Sequence, residues 1–144
     1  MTESSLITKA EYEALAEFRY ALRRFLHFSE NAAGQAGLTP HQHQALLAIM
    51  GFPGPDPITI GELAEHLQIR HHSAVGLVDR LENQELVIRR HAQQDRRQVR
   101  ISLTERGITL LEQLSTVHRE ELRRLGPQLR TLLDRIAQYS EGNR

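Results

Sequence analysis

The sequence predicts a mostly α chain with a small β wing. Three observations carry that expectation. Two short helical patterns, 59–67 and roughly 71–84, follow one another across a tight turn; an arginine-rich pair of strand patterns comes directly after them; and longer amphipathic segments lie at both ends. That order describes a winged helix-turn-helix domain flanked by N- and C-terminal dimerisation helices.

Each element has a local cause. Thr8-Lys9-Ala10-Glu11 is a capping box, and Leu15, Phe18, Leu22, Phe25 and Leu26 recur behind it at helical spacing, which predicts a first helix from about Lys9 to Ala32. Gly34 to Gly37 ends it. Thr39 caps a second helix, with Pro40 at its first position, Gln42 completing the box, and Ala45, Leu46, Ile49 and Met50 facing inward. The stretch 51–57, with three prolines (53, 55 and 57), cannot be helix and makes a rigid connection. A third box, Thr59-Ile60-Gly61-Glu62, opens a short third helix to about Leu67.

The fourth helix, roughly His71 to Gln84, buries Ala74, Leu77, Val78 and Leu81 and turns His71, His72, Ser73, Val75, Gly76, Asp79 and Arg80 outward. Val87 to Arg90 and Val99 to Leu103 are strands around a polar tip. Thr104 caps a fifth helix through Ile108, Leu111, Leu114 and Leu122. Gly126-Pro127 is expected to break it, leaving Leu129, Leu132, Leu133 and Ile136 to a final helix.

A length of 144 residues predicts a single domain, 1–144, with the winged helix-turn-helix at 38–107 and dimerisation helices at 8–33 and 104–140. The net charge is zero, but the distribution is uneven: Arg70 to Arg106 holds arginines at 70, 80, 89, 90, 96, 97, 100 and 106 against Asp79, Glu82, Glu85, Asp95 and Glu105. Of the basic residues only Lys9 is a lysine. Arginine's planar fork suits phosphate and guanine edges, although codon bias produces the same skew. The absence of cysteine removes a disulfide framework, a thiol switch and a thiolate zinc site. The chain starts without a basic-then-apolar signal, and no apolar run approaches the ~20 residues of a membrane span. A cytoplasmic protein without membrane contact is expected.

Residues Arg70, His71, His72 and Ser73 fall at the start of the fourth helix, where a reading helix meets base edges. Arg70 can fork onto guanine O6 and N7, and the other three can reach bases or phosphates. Gly76 in mid-helix costs about 0.5 to 1 kcal/mol relative to alanine, so close approach of a groove wall is one reason to tolerate it. Arg80 shares this face. Alternatively, the face is simply polar and solvated. At the hairpin tip, Asp95-Arg96-Arg97 can push arginine into a narrow minor groove with Asp95 as its orienting partner; an ordinary charged hairpin is the other reading.

The segments LeuThrProHisGln, IleGlyGluLeuAlaGluHisLeu, LeuValAspArgLeuGluAsnGlnGluLeuVal, AspArgArg and SerLeuThrGluArgGly, spread over residues 38–107, resemble the motifs of the MarR family of transcriptional regulators. The resemblance implies a dimeric winged helix that binds pseudo-palindromic promoter DNA, most often as a repressor, and is released by small aromatic or anionic ligands. By position it places Arg70 to Gly76 at the start of the recognition helix, and Asp95 with Arg97 on the wing. It makes Arg19, His41 and His118 ligand candidates, with Arg19 a partner for a carboxylate. The chain departs from the family in Val75-Gly76, where many members have Thr-Arg, and in Glu85, where most have glycine before the strand. It also lacks the common wing prolines.

Neither a glycine-rich phosphate loop nor a HisGluXXHis pair occurs, so an enzyme is not expected. No cofactor is expected either. The histidine pairs His41 with His43 and His71 with His72 lack the spacing that puts two ligands on one helical face, yet a metal-responsive regulator stays open as an alternative. So does a protein-interaction module that keeps the fold without binding DNA. The implied partners are double-stranded DNA, a second copy of the chain and a small effector.

Overall fold

The computed structural model describes residues 6–91 and 98–141. Its elements are α1 (Lys9–Gln35), α2 (Pro40–Met50), β1 (Ile58–Thr59), α3 (Ile60–Leu67), α4 (His71–Asn83), β2 (Val87–His91), β3 (Val99–Leu103) and α5 (Glu105–Glu141). The chain divides into two compact units, Met1–Ser29 with Val117–Arg144, and Glu30–Thr116. Among the described residues no helix is long and apolar enough to cross a membrane.

Capping sets the helix starts as expected. Both halves of the box are present at α2, where Gln42 N–H donates to Thr39 Oγ1 at 3.1 Å and Thr39 N–H to Gln42 Oε1 at 3.0 Å. The same exchange joins Thr59 and Glu62 at α3. At α1 the Thr8 hydroxyl accepts from Glu11 N–H at 3.2 Å.

Three chain reversals share one geometry, in which the residue just past a helix turns left-handed and the next amide bonds back to the last turn. Gly37 does this after α1 at φ 81°. Gln68 does it after α3 at φ 54°, with Ile69 N–H on Ala64 O at 3.0 Å, and Glu85 after α4 at φ 61°, with Leu86 N–H on Leu81 O at 3.0 Å. Glu85, where the resembled family mostly has glycine, therefore holds a left-handed position with a Cβ, at a steric cost that glycine avoids.

The core of the Glu30–Thr116 unit is a single cluster. Leu46, Ile58, Leu63, Val78, Leu81, Leu86, Val87 and Ile101 are its largest fully buried side chains. The four inward positions expected on α4 are all buried. On α2, Ala45, Leu46 and Ile49 are buried but Met50 is exposed, because the helix ends there and the chain departs at Gly51.

Two further sequence expectations fail. Pro127 does not break the last helix; α5 continues through it to Glu141. A proline removes one backbone hydrogen bond and crowds the preceding turn. Here the segment beyond it is held in place, with Leu132 buried and Arg135 Nη1 3.4 Å from Glu17 Oε2 on α1. The second is β1: the sequence reading ended the connection at Pro57 and took Thr59 only as the cap of the third helix, without a strand at Ile58–Thr59. It pairs antiparallel with β3 (Ile58 opposite Ile101), giving the order β1-β3-β2 and making the wing the outer part of a three-stranded sheet.

Gly107 shows why the start of α5 tolerates no side chain. A Cβ there would lie 2.2 Å from Leu86 O, inside any real contact. Thr104 completes the joint: its N–H donates to Leu86 O, its hydroxyl donates to Glu85 O at 2.6 Å and accepts from Gly107 N–H at 3.1 Å.

Candidate nucleic-acid interface

The start of α4 differs from its neighbours. Where α2, α3 and α5 begin at a threonine that accepts a first-turn amide, α4 begins at Arg70, which makes no side-chain cap hydrogen bond. Its first-turn N–H groups thus remain directed away from the helix, an arrangement suited to an anion. Arg70, His71, His72 and Ser73 are all exposed around that end. The buried positions Ala74, Leu77, Val78 and Leu81 fix the opposite face, so the polar end points away from the core.

Further along, Gly76 is half-buried and Arg80 exposed. A Cβ on Gly76 would sit 3.7 Å from Arg80 Nη1, so the guanidinium one turn on lies next to the face left bare by glycine. Asp95, Arg96 and Arg97 lie outside the described residues.

The basic window does not present all its arginines outward. Arg89 is engaged by α4, through Val75 O, Asp79 and Glu82. Arg100 donates to Pro57 O at 2.6 Å and to Gln98 Oε1 at 3.2 Å. Arg106 lies 3.8 Å from Glu85. Among the described residues, Arg70, Arg80 and Arg90 are the arginines of the window that make neither an ion pair nor a side-chain hydrogen bond. Arg90 is the one that sequence reasoning passed over. Strand alternation would have found it, because Arg89 points to the face shared with Ile101 and Arg90 to the opposite one, across from Arg100. Two guanidiniums directly opposite repel, and the bonds Arg100 makes to Pro57 and Gln98 direct its charge away.

The ligand candidates belong to different compact units. Arg19 is exposed on α1, and His41 is exposed on α2 in the other compact unit. His118 is buried on α5, 2.8 Å from Ser29 Oγ and edge-on to Phe25 and Phe28 at 6.0 and 5.4 Å. His43 is buried in α2, and His66 stacks edge-on against Phe52. Among the described residues no group of three or more His, Asp or Glu side chains is placed to hold a metal ion.

Comparison with known proteins bears on this geometry. The sequence profile of the MarR family matches residues 36–98. The chain is 31% identical to an organic hydroperoxide resistance transcriptional regulator of Bacillus subtilis, over 70% of this chain and 74% of that protein. It is 30% identical to the transcriptional repressor MdtR of the same organism, over 54% of this chain and 48% of MdtR. Among solved structures it resembles MepR, a transcription regulator of the Staphylococcus aureus multidrug efflux pump MepA (21% identity, 88% of this chain and 96% of that one, TM-score 0.72). It also resembles AbsC of Streptomyces coelicolor (23% identity, 96% and 99%, TM-score 0.71). A MepR–DNA complex aligns with a TM-score of 0.68 at 22% identity, over 90% of this chain and 96% of that one.

Proposed function

The chain belongs to the MarR family, and from that membership we propose that it is a homodimeric repressor that binds a pseudo-palindromic promoter site and leaves it when a small ligand binds. As a member it is a DNA-binding transcriptional regulator and not an enzyme. The observation that carries the finer reading is the uncapped, exposed start of α4. Arg70, His71, His72 and Ser73 read base edges there, with Gly76 and Arg80 on the same helix. Asp95, Arg96 and Arg97 act at the wing, and Arg90 adds a phosphate contact.

The dimer is supported by the terminal helices, which expose Tyr12, Leu15, Tyr20, Leu26, Leu122 and Leu133. Apolar surface of that kind in a small chain marks an interaction site. Repression is supported by the relative named a repressor. For the ligand, the exposed Arg19 and His41 are the accessible groups, and His118 shapes the packing near Ser29. One relative is named for organic hydroperoxide resistance. The 144 residues contain no cysteine, so reversible thiol oxidation is not the release step proposed here.

Selection of genomic fragments by the purified protein tests the reading. Binding to a recurring inverted repeat is expected, with Arg70→Ala costing about 1–3 kcal/mol at particular base pairs and Arg97→Ala lowering the salt slope by about one. Binding no stronger than to random DNA overturns it. Displacement of the bound DNA by a panel of aromatic carboxylates, and its loss in Arg19→Ala, checks the effector.

A further inference from the structure

Arg89 belongs by sequence to the basic window, yet it is held by the helix beside it. It stands on β2 two residues from the buried Val87 and opposite Ile101, so its stem leaves from the core face of the sheet. Its Nη2 donates to Val75 O at 3.3 Å and to the Asp79 carboxylate, its Nη1 to Glu82 Oε1 at 3.1 Å, and its backbone N–H to Glu82 Oε2 at 3.3 Å. Val75, Asp79 and Glu82 succeed one another along one side of α4. One side chain therefore grips nearly two turns of the helix, and only 23% of it stays exposed.

The wing leaves α4 through Gln84, Glu85 and Leu86, the turn that Thr104 and Gly107 clamp from the other side. Arg89 is the tie beyond that joint. We infer that Arg89 is a positioning residue for DNA recognition: it fixes the wing strands to α4, so that base-reading groups at the helix start and arginines at the wing tip meet one duplex in a single register. Asp79 and Glu82 are its anchors rather than base contacts. The inference rests on the DNA-binding reading above and makes a claim that a phosphate-contacting arginine would violate, because Arg89 contributes no counterion release.

The test uses the full chain, its selected operator duplex and a scrambled duplex of equal length, with anisotropy titrations at several salt concentrations and circular dichroism confirming that each variant is folded. Arg89→Met is expected to weaken operator binding roughly tenfold while changing scrambled binding less than about twofold and leaving the salt slope unaltered. Arg89→Lys should recover part of the loss, since an ammonium reaches one carboxylate but cannot fork. Asp79→Asn should fall between. Without DNA, amide hydrogen exchange in β2 and β3 should be faster in Arg89→Met. A salt slope lower by about one, with equal losses on both duplexes, would show a phosphate contact and overturn the inference. Unchanged operator affinity or unchanged exchange would also overturn it. If the unmodified chain fails to distinguish the duplexes, that counts against the DNA-binding reading, whereas the exchange measurement still decides whether Arg89 ties the wing.

Discussion

In the Glu30–Thr116 unit, apolar side chains close on one another: leucines and isoleucines from α2, β1, α3, α4 and β3 reach full burial in one cluster. In the Met1–Ser29 with Val117–Arg144 unit, the buried apolar residues among those described are Ala14, Ala21 and Leu132. Larger ones on the same helices, from Leu15 and Leu122 to Tyr12, are 40–60% exposed. The first unit uses its hydrophobic residues to hold itself together. The second holds a similar kind of residue at the surface, as the dimer proposed above requires.

The largest test of that contrast is association. Leu122→Glu combined with Leu133→Glu should weaken self-association by more than about 4 kcal/mol, converting dimer to monomer in sedimentation at micromolar concentration. An unchanged mass would break the comparison.

Substitution of glycine by alanine separates the two units next. At Gly107 the new Cβ meets Leu86 O, and a loss of about 3 kcal/mol is expected in urea unfolding. A loss under about 1 kcal/mol would mean that the clamp gives way easily. At Glu85, φ 61° penalises a side chain, so Glu85→Gly should stabilise the reader unit by about 1 kcal/mol despite losing the exposed Arg106 pair, which is worth little. Gly126 lies within α5 with no atom beyond its chain neighbours near a built Cβ, but that Cβ would crowd the ring of Pro127, so the gain in helix propensity is offset and Gly126→Ala should change stability by less than about 1 kcal/mol, well short of Gly107→Ala.

The smallest effect is electrostatic. The Thr59 hydroxyl, and then its backbone N–H, hold the Glu62 carboxyl below its usual 4.5. A carboxyl lowered in the fold adds stability above about pH 4.5 that is lost as pH falls through the lowered value. Glu62→Gln should therefore flatten acid unfolding of the reader unit in that window. An unaltered acid limb would show that the cap is too exposed to contribute.

Helix starts, the inward face of α4 and the two wing strands were legible because their causes act within four residues. A threonine three positions before a Glu or Gln, or an apolar residue every third or fourth position, is complete information about its own turn. Even the strain at Glu85 could be anticipated, since the chain must reverse between α4 and β2. β1 was not legible. Two residues have no periodicity, and Ile58-Thr59 is a strand only because β3 lies beside it. Pro127 misled for a related reason: the local penalty was read correctly, but the burial of Leu132 beyond it on the same helix is set by packing that no local window shows.

For the interface, the order of residues along the chain is enough to say which side chains sit at the start of α4 and which arginines crowd the window after it. What those arginines do depends on the folded arrangement. Arg89 is taken up by Asp79 and Glu82, and Arg100 by Pro57, 43 positions away, while Arg70, Arg80 and Arg90 are left outward. A guanidinium reaches any acceptor within hydrogen-bond distance, and which acceptors come that close is set by packing across the chain. Likewise Gly107 looked like any glycine after a cap until the backbone of Leu86 came to rest against it.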